Sequence, residues 1–365
     1  SVGEQQRVEI LTAIYQGADI LILDEPTAVL TPQEANILFD MLRHMKADGK
    51  SIILITHKLE EIISIVDEVT VLRDGELIGS KLVDEHTTKE ELTKMMVGRD
   101  VLFNFDKNQK APGAVKVELK GLSASNDKGL PALTDFNLTV HEGEILGLAG
   151  VDGNGQKELC EVLTGLRKAD GGQFLFKGKE VINQPPVFYI NSGISHIPED
   201  RMTTGLALNW SLKKNLIIKK FHKAPFSKNG LLNQKAIDAY WDKCQKEYQI
   251  KANSGEDHAR ALSGGNQQKV ILARELDDHP EMVIANQPTR GLDIGASEYV
   301  RQKILDARND GAAVLLVSAD LEEILQLSDR IAVIYDGKIM GILPAGADTN
   351  TIGMLMMGHK QEEKA

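Results

Sequence analysis

The amino-acid sequence predicts an α/β protein in which buried parallel strands are covered by helices on both faces. Two observations lead to this class. Short apolar segments alternate with helical segments, and one stretch of the chain matches another at a constant offset. The composition, 42% hydrophobic and 26% charged, excludes collagen-like and disordered chains. A length of 365 residues suggests two domains, at about 150 residues per domain.

The self-match aligns Ser1–Gly79, the first copy, with Ser263–Gly341, the second copy, without a gap and at an offset of 262 residues. The identical positions fall in clusters, which indicates a duplicated unit rather than a chance likeness. The clusters are Ser1-Val-Gly-Glu-Gln-Gln with Ser263-Gly-Gly-Asn-Gln-Gln, Pro26-Thr27 with Pro288-Thr289, Leu59–Ile62 with Leu321–Ile324, and Asp74-Gly75 with Asp336-Gly337.

The two copies differ in what precedes them. Residues 115–262 precede the second copy, whereas the first copy begins at Ser1. We therefore expect residues 1–99 to be the C-terminal half of a first domain that is truncated at its N-terminus, and residues 115–345 to be a second, complete domain. Residues 100–114 contain Asn, Lys, Pro and Gly and are expected to be a linker, and residues 346–365 a C-terminal tail.

Each copy predicts the same order of elements. A helix begins at the Ser-x-Gly-x-Gln segment, and an apolar strand, a helix, a second buried strand, a helix and a strand pair around an Asp-Gly turn follow. The acid pairs Glu60-Glu61 and Glu322-Glu323 are expected to be exposed acids at helix N-termini. The predicted buried strands are Ile20–Leu23 and Ile52–Ile55 in the first copy, and Met282–Ala285 and Val314–Val317 in the second.

Charge, cysteine content and hydropathy exclude several classes of protein. A net charge of −11 argues against a protein whose main work is non-specific nucleic-acid binding. Cys160 and Cys244 can form no disulfide framework, and neither has neighbours at metal-ligand spacing. No apolar run approaches the roughly 20 residues that a membrane-spanning helix needs, so we expect a soluble protein.

Two adjacent acids, Asp24 and Glu25, end the first buried strand of the first copy. Ligands bind at this edge of an open α/β sheet, and neighbouring side chains on a strand point to opposite sides. One acid suits Mg²⁺ through its water shell, and the other can orient or deprotonate a water molecule. His57 ends the next strand. From the residues alone, the acids could instead decorate a helix N-terminus and the histidine could be structural.

A glycine-rich segment, Gly150-Val-Asp-Gly153-Asn-Gly155-Gln156-Lys157, follows the apolar run Ile145–Ala149. A strand, a glycine loop and a helix in this order point backbone N–H groups at phosphate. A phosphate loop has Lys and then Ser or Thr after its last glycine, whereas this segment has Gln156 and Lys157. Without further context, an ordinary strand-to-helix turn remains an alternative.

Together these segments resemble the ATP-binding subunit of an ABC transporter of the type with two fused nucleotide-binding domains, which powers nucleoside and simple-sugar uptake. Leu262–Lys269 resembles the ABC signature and Ser1–Arg7 its counterpart, while Leu21–Thr27 is similar to Walker B and His57 to the switch histidine. Ile197–Arg201 resembles the element that stands in place of the Q-loop, with Glu199 at the glutamine position. The resemblance implies tandem ABC ATPase (P-loop NTPase) domains of α/β class, the first incomplete.

The resemblance also implies two unequal ATP sites, each made of one domain's Walker elements and the other domain's signature. The hydrolytic site uses the catalytic residues Glu25 and His57, with Asp24 holding Mg²⁺ through water. Its signature residues are Ser263, Gly264, Gly265 and Gln267, and Asp293 is the D-loop residue. The second site uses Gly150, Gly153, Gly155, Gln156, Lys157 and Glu199, with Ser1, Gly3 and Gln5.

The second site is expected to be catalytically inactive. At the offset of 262, Asp24 becomes Asn286, Glu25 becomes Gln287 and His57 becomes Ala319. Gln156 also replaces the Walker lysine. Neither Asn nor Gln can act as a general base, and neutral amides complement Mg²⁺ poorly. We expect residues 1–365 by themselves to show no ATPase activity.

The resemblance further implies transmembrane permease partners, an extracellular solute-binding lipoprotein as an indirect partner, no nucleic acid, and a peripheral place on the cytoplasmic face of the cell membrane. The permease contact is expected at residues 201–223, which include Trp210 and several lysines. Ser1–Gln5, Gly150–Gln156 and Asn286-Gln287-Pro288 favour nucleoside over monosaccharide import. A monosaccharide importer is the alternative, followed by a soluble ATPase with twin ABC domains and a non-catalytic module.

Overall fold

The computed structural model describes residues 8–10, 12–13, 15, 17–27, 30, 32–56, 58–73, 75–98 and 112–359. Two compact units divide the chain. The first unit comprises Ser1–Asn104 with Val151–Gly153 and Asp293–Glu298, and the second unit comprises the remaining residues. Most of the predicted linker lies outside the described residues.

In the first unit, two parallel strands lie against a long helix. Strand β1 (Ile20–Asp24) pairs with β2 (Ser51–Ile55), and Leu21 and Leu23 of β1 pack in a core with α1 (Pro32–Ala47). The remaining elements are α2 (Leu59–Ile65), β3 (Glu68–Arg73), β4 (Glu76–Leu82) and α3 (Lys89–Val97), with β3 and β4 antiparallel. Each strand pair forms its own two-stranded sheet.

The second unit contains a six-stranded sheet and a four-stranded antiparallel sheet with a shared core. From residue 112 the elements are β5 (Val115–Ser125), β6 (Pro131–His141), β7 (Ile145–Ala149), α4 (Gln156–Leu163), β8 (Gly171–Phe176), β9 (Lys179–Glu180), α5 (Pro186–Asn191), β10 (Ile194–Ile197), α6 (Leu212–Ile217), β11 (Ser227–Lys228), β12 (Leu231–Leu232), α7 (Gln234–Glu247), α8 (Gly264–Leu276), β13 (Met282–Asn286), α9 (Ile294–Asn309), β14 (Ala313–Ser318), α10 (Leu321–Leu327), β15 (Arg330–Tyr335), β16 (Lys338–Pro344) and α11 (Thr349–Met356).

Strand β7, which precedes the glycine loop, and strand β13 belong to the same six-stranded sheet. The large sheet has the order β10-β13-β14-β7-β15-β16, and only β16 is antiparallel to its neighbour. Strands β7, β13 and β14 are buried along their whole length, as expected for parallel strands covered on both faces. The antiparallel sheet β6-β5-β8-β9 and helix α4 share the main core with this sheet.

The repeat in the sequence is also a repeat of elements. Adding 262 to the bounds of β1, α1, α2, β3 and β4 gives those of β13, α9, α10, β15 and β16. The register of β1 with β2, Ile20 opposite Ser51, recurs as Met282 opposite Ala313. Each final strand pair is irregular at the same step, after Val71 and after Val333. The four predicted strands are therefore present, with ends that differ from the prediction by one residue. The prediction that they are buried is correct for β13 and β14 but wrong for β1 and β2, which have exposed residues along their length.

One face of the parallel strands is exposed in the first copy and buried in the second. Ile22 and Ile53 are 63% and 51% exposed, whereas the equivalent residues Ile284 and Leu315 are fully buried. In the second unit that burial comes from α4 and the antiparallel sheet, whose apolar side chains pack in the same core. Helix α11, inside the predicted tail, buries Ile352 and packs on β15. Among the described residues no helix is long and apolar enough to cross a bilayer.

Candidate functional site

The turn after β1 carries the two predicted catalytic-site acids. Asp24 is the exposed last residue of β1, and Glu25 follows with a φ of +46°. The Glu25 N–H donates to the Ile55 carbonyl of β2 at 2.9 Å. A positive φ is uncommon for a residue other than glycine and is strained, so it persists only where surrounding contacts hold it. The structure thus fixes these acids at the carboxyl edge of β1.

The same strained turn recurs in the second copy with the acids replaced. Gln287 has a φ of +48°, and its N–H donates to the Val317 carbonyl at 2.7 Å. Asn286 and Gln287 are both buried. The Gln287 Oε1 accepts a hydrogen bond from the Ala319 N–H at 3.1 Å, at the position equivalent to His57. The two turns therefore have the same backbone conformation but different side chains.

Four of the predicted site residues, Ser1, Gly3, Gln5 and His57, lie outside the described residues. For Mg²⁺, the donor chemistry at the end of β1 fits, because an exposed carboxylate can bind an ion that keeps most of its water ligands. No group of three metal-ligating side chains occurs in the part of the chain that the structure describes.

The glycine loop between β7 and α4 leaves no room for side chains at two positions. A Cβ at Gly155, where φ is +103°, would stand 2.3 Å from the Ala132 carbonyl oxygen. A Cβ at Gly150 would stand 2.5 Å from Ile334. Gly153 also has a positive φ, of +92°, but faces open space. The predicted order of strand, glycine loop and helix is therefore observed, and it has the form of a phosphate-binding loop.

The side chain of Gln156 lies across this loop. It is 8% exposed, and its Oε1 accepts a hydrogen bond from the Asn154 N–H at 3.0 Å. Its Nε2 lies 2.8 Å from the point where a Gly150 Cβ would stand. The Asn154 Oδ1 in turn accepts from the Asp336 N–H at 2.7 Å. One of the loop amides is therefore already bonded to the side chain that replaces the Walker lysine.

Lys157, at the position of the Walker Ser or Thr, lies among carboxylates. Its Nζ is 3.3 Å from Asp127 and 3.8 Å from Glu161. The hydrogen bond with Asp127 raises the pKa of Lys157. Arg167 also forms an ion pair with both Asp127 and Glu161. The charge of Lys157 is thus engaged beside the loop, although the sequence predicts that it binds nucleotide.

The predicted signature begins helix α8. Ser263 is its exposed N-cap residue, and its hydroxyl forms no hydrogen bond to the first-turn N–H groups. Gly264 and Gly265 form the start of the helix, where N–H groups favour an anion. Gln267 is buried, and its Nε2 donates to the Ala259 carbonyl at 3.1 Å. Its amide therefore serves the packing of the helix, so its position does not support the predicted nucleotide contact.

The segment at the predicted Q-loop position is joined to the residues after β13. Glu199 forms an ion pair with Arg290. Arg201 donates to the Arg290 carbonyl at 2.6 Å, and its guanidinium lies beside Gly264. Asp293, the predicted D-loop residue, is exposed, and its Oδ1 accepts from the Ala296 N–H at 2.8 Å at the start of α9.

Sequence analysis missed two buried acids. Glu61 and Glu323 are 6% and 0% exposed, so the prediction that they are exposed helix acids is wrong. Each lies in the first turn of its helix, and each contacts the ends of two strands. A signal existed in the repeat, because Glu61 and Thr27 recur together as Glu323 and Thr289 at the same offset.

A groove of about 710 Å³ lies beside α6 in the second unit. Leu206, Ile218 and Phe221 line it together with Lys219 and Arg274. Lys219 and Arg274 both pair with Glu275, which is fully buried. Three lysines in the predicted contact segment are therefore paired within the protein: Lys219 as stated, Lys220 with Asp278, and Lys213 with Asp238 and Glu256.

Known proteins resemble this chain in sequence. A family model described as "ABC transporter" matches residues 133–290. A glucose import ATP-binding protein of Haloferax volcanii is 46% identical over 360 residues, which covers 98% of this chain and 65% of that protein. A nucleoside import ATP-binding protein of Lactococcus lactis is 45% identical over 98% of this chain and 71% of that protein. A guanosine import ATP-binding protein of Bacillus subtilis is 47% identical over 100% and 71%. The chain thus spans 65% to 71% of these relatives' length.

Solved structures resemble its fold. A nucleotide-free ATP-binding cassette from an ABC transporter has a TM-score of 0.56 and 21% identity, covering 66% of this chain and 95% of that one. A dimeric cassette in a post-hydrolysis state, bound to ADP and Pi, has a TM-score of 0.54 and 22% identity, covering 64% of this chain and all of that one. The predicted α/β fold of an ABC ATPase is confirmed.

Proposed function

Because the chain belongs to the ATP-binding proteins of ABC transporters, of the import type, we propose that it couples ATP hydrolysis to solute uptake through transmembrane permease partners. Its activity would be that of an ATP-dependent translocase, with ATP and Mg²⁺ as cofactors. We also propose that it carries two such ATP-binding domains in tandem. The recurrence of six elements at one offset, β1, α1, β2, α2, β3 and β4, and of their strand registers in the second unit, supports this arrangement.

The observation that carries the proposed chemistry is the pair of matching turns after β1 and β13. Both turns have the same backbone, and only the first has acids. We propose that Glu25 acts as general base towards the attacking water and that Asp24 binds Mg²⁺ through its water shell. His57 is proposed as the switch residue of the same site. The first unit is then the hydrolytic one.

The second unit is proposed to be degenerate in hydrolysis. Asn286 and Gln287 supply no base, and Gln156 takes the place of the phosphate-binding lysine and bonds to the loop. The exposed, uncapped start of α8 at Ser263 remains suited to an anion. We propose that this helix start serves ATP held by a facing ATP-binding domain, as the resemblance implies.

The permease partners are proposed to contact the groove beside α6. Phe221, which lines the groove, and Trp210, in the same predicted contact segment, are each 51% exposed. Large exposed apolar side chains of this kind are typical of an interaction surface. Ion pairs to Lys213, Lys219 and Lys220 neutralise much of the positive charge of this segment, which argues against a lipid contact. With permeases as its anchor, the protein would lie at the cytoplasmic face of the cell membrane.

Nucleosides are the proposed solutes. Relatives named for nucleoside and guanosine import match this chain at 45% and 47% identity, and three motifs in the sequence favour the same group. Monosaccharides are the alternative, because a relative named for glucose import matches at 46%.

Uptake in cells tests the proposed function. Cells that carry the transporter should accumulate labelled guanosine, and Glu25→Gln should abolish that accumulation. Labelled glucose and ribose in the same cells separate the two classes of solute. Uptake of glucose without guanosine would replace the nucleoside proposal with the alternative, and undiminished guanosine uptake with Glu25→Gln would refute the role of Glu25.

A further inference from the structure

Glu61 is a buried acid that the proposed mechanism does not use. It lies in the first turn of α2 and is 6% exposed. The Thr27 hydroxyl donates a hydrogen bond to its Oε1, and the Thr56 hydroxyl donates to its Oε2 at 3.0 Å. The Lys58 Nζ lies 3.5 Å from its Oε1. A carboxylate can be buried at low cost only when it has such partners. Thr27, Thr56 and Lys58 therefore compensate for the burial of the Glu61 carboxylate.

The partners of Glu61 belong to the two segments that carry the proposed catalytic residues. Thr27 follows Glu25 by two positions, and Thr56 and Lys58 stand on either side of residue 57. The Lys58 Nζ also donates to the carbonyl and to the hydroxyl of Thr27, each at 3.1 Å. One carboxylate, one ammonium and two hydroxyls therefore join the end of β1 to the end of β2.

The second copy contains the same acid with a different cation. Glu323 is fully buried, and Thr289 and Ser318 stand where the first copy has Thr27 and Thr56. Burial raises the pKa of Glu323. Asp320 occupies the position of Lys58.

The cation in the second copy comes from helix α9. Arg301 lies 3.4 Å from Glu323 and 3.1 Å from Asp320, and it also contacts Gln326 at 3.1 Å. The residue equivalent to Arg301 in the first copy is Phe39, a core residue. Only the first copy thus places its cation next to the switch position and bonds it to the segment after the acids.

We infer that Glu61 and Lys58 are positioning residues for ATP hydrolysis, which hold the segments carrying Glu25 and His57 in their catalytic arrangement. This inference rests on the proposed function. A displacement of about 1 Å at a reacting group can lower a rate by about a hundredfold. Contacts that fix the ends of β1 and β2 relative to each other should therefore affect turnover rather than nucleotide binding. In the second copy, which lacks the catalytic acids, the equivalent Glu323 fills a buried site only.

Steady-state ATP hydrolysis by the assembled transporter tests the inference. Glu61→Gln keeps the shape of the side chain but replaces one acceptor with a donor, so one threonine hydroxyl loses its partner and Lys58 loses its counter-charge. We expect kcat to fall about tenfold or more while KM for ATP changes little. The matched control is Glu323→Gln in the same assay, for which kcat and KM should stay near the wild-type values.

Lys58 provides a second test that does not depend on the stability of Glu61→Gln. Lys58→Met should lower kcat, and Lys58→Arg should restore most of it, because arginine retains the charge and the donors. Thermal unfolding of every variant separates lost turnover from lost folded protein.

Three results would overturn the inference. The first is an equal fall in kcat for Glu61→Gln and Glu323→Gln. The second is a lower unfolding temperature with an unchanged kcat per folded molecule, and the third is an equal loss in Lys58→Met and Lys58→Arg. Retained turnover in Glu25→Gln would instead refute the proposed function, so the two failures are distinguishable.

Discussion

A lysine at position 156 should restore phosphate binding to the second glycine loop. In the wild type, the Gln156 amide is 8% exposed and bonds to the Asn154 N–H. Gln156→Lys removes that bond, frees the loop amide and adds an ammonium. Hydrogen bonds to charged groups contribute about 1.5–3 kcal/mol, part of which is offset by burying the charge. A net gain of about 2 kcal/mol corresponds to roughly thirtyfold tighter binding.

Titration of the 365-residue protein with a fluorescent ATP analogue and Mg²⁺ measures this gain. Gln156→Met is the matched control, because it frees the same loop amide without adding charge, and we expect it to bind only a few-fold tighter than the wild type. The reasoning is refuted if Gln156→Lys binds no tighter than the wild type. If Gln156→Met gains as much as Gln156→Lys, the blocked amide rather than the missing charge limits binding.

Three further predictions concern separate parts of the protein. Ala319→His should restore no hydrolysis in the second copy, because Gln287 supplies no base. Phosphate release in a Glu25→Gln background measures this. The free energy of unfolding should fall by up to about 3 kcal/mol as pH decreases from 6.5 towards 4. Burial lowers the pKa of His196 to about 4 in the folded protein, so below pH 6.5 the unfolded chain binds a proton that the folded protein does not; chemical denaturation of His196→Asn should show a smaller fall. Phe221→Asp should weaken co-purification with permeases but leave nucleotide titration unchanged, because Phe221 lines the groove.

The strands and their order within each copy could be predicted from sequence because each strand is a short apolar run between turn or helix signals. Met282–Asn286 and Ala313–Ser318 contain no exposed residue, and the repeat provides the same elements twice. The glycine loop was also predictable, because its strand, its glycines and its helix are consecutive in the sequence. Two of those positions, Gly150 and Gly155, have no room for a side chain.

The side-chain partners could not be predicted, because they come from distant parts of the chain. Lys219 pairs with Glu275, 56 residues later, and this pairing neutralises a lysine that the sequence shows only as part of a basic segment. Glu61 bonds to Thr27, 34 residues earlier, and an acid in the first turn of a helix gives no local sign of that contact. The place of Gln267 in a motif predicts a nucleotide contact, whereas its burial and its hydrogen bond to Ala259 depend on packing that the motif does not reveal.

The central proposal is that only the first copy hydrolyses ATP. The most direct measurement is single-turnover phosphate release by the assembled transporter, with Glu25→Gln compared with Gln287→Met. We predict that Glu25→Gln releases almost no phosphate, whereas Gln287→Met releases it at the wild-type rate. Substantial release by Glu25→Gln, or its loss in Gln287→Met, would contradict the account.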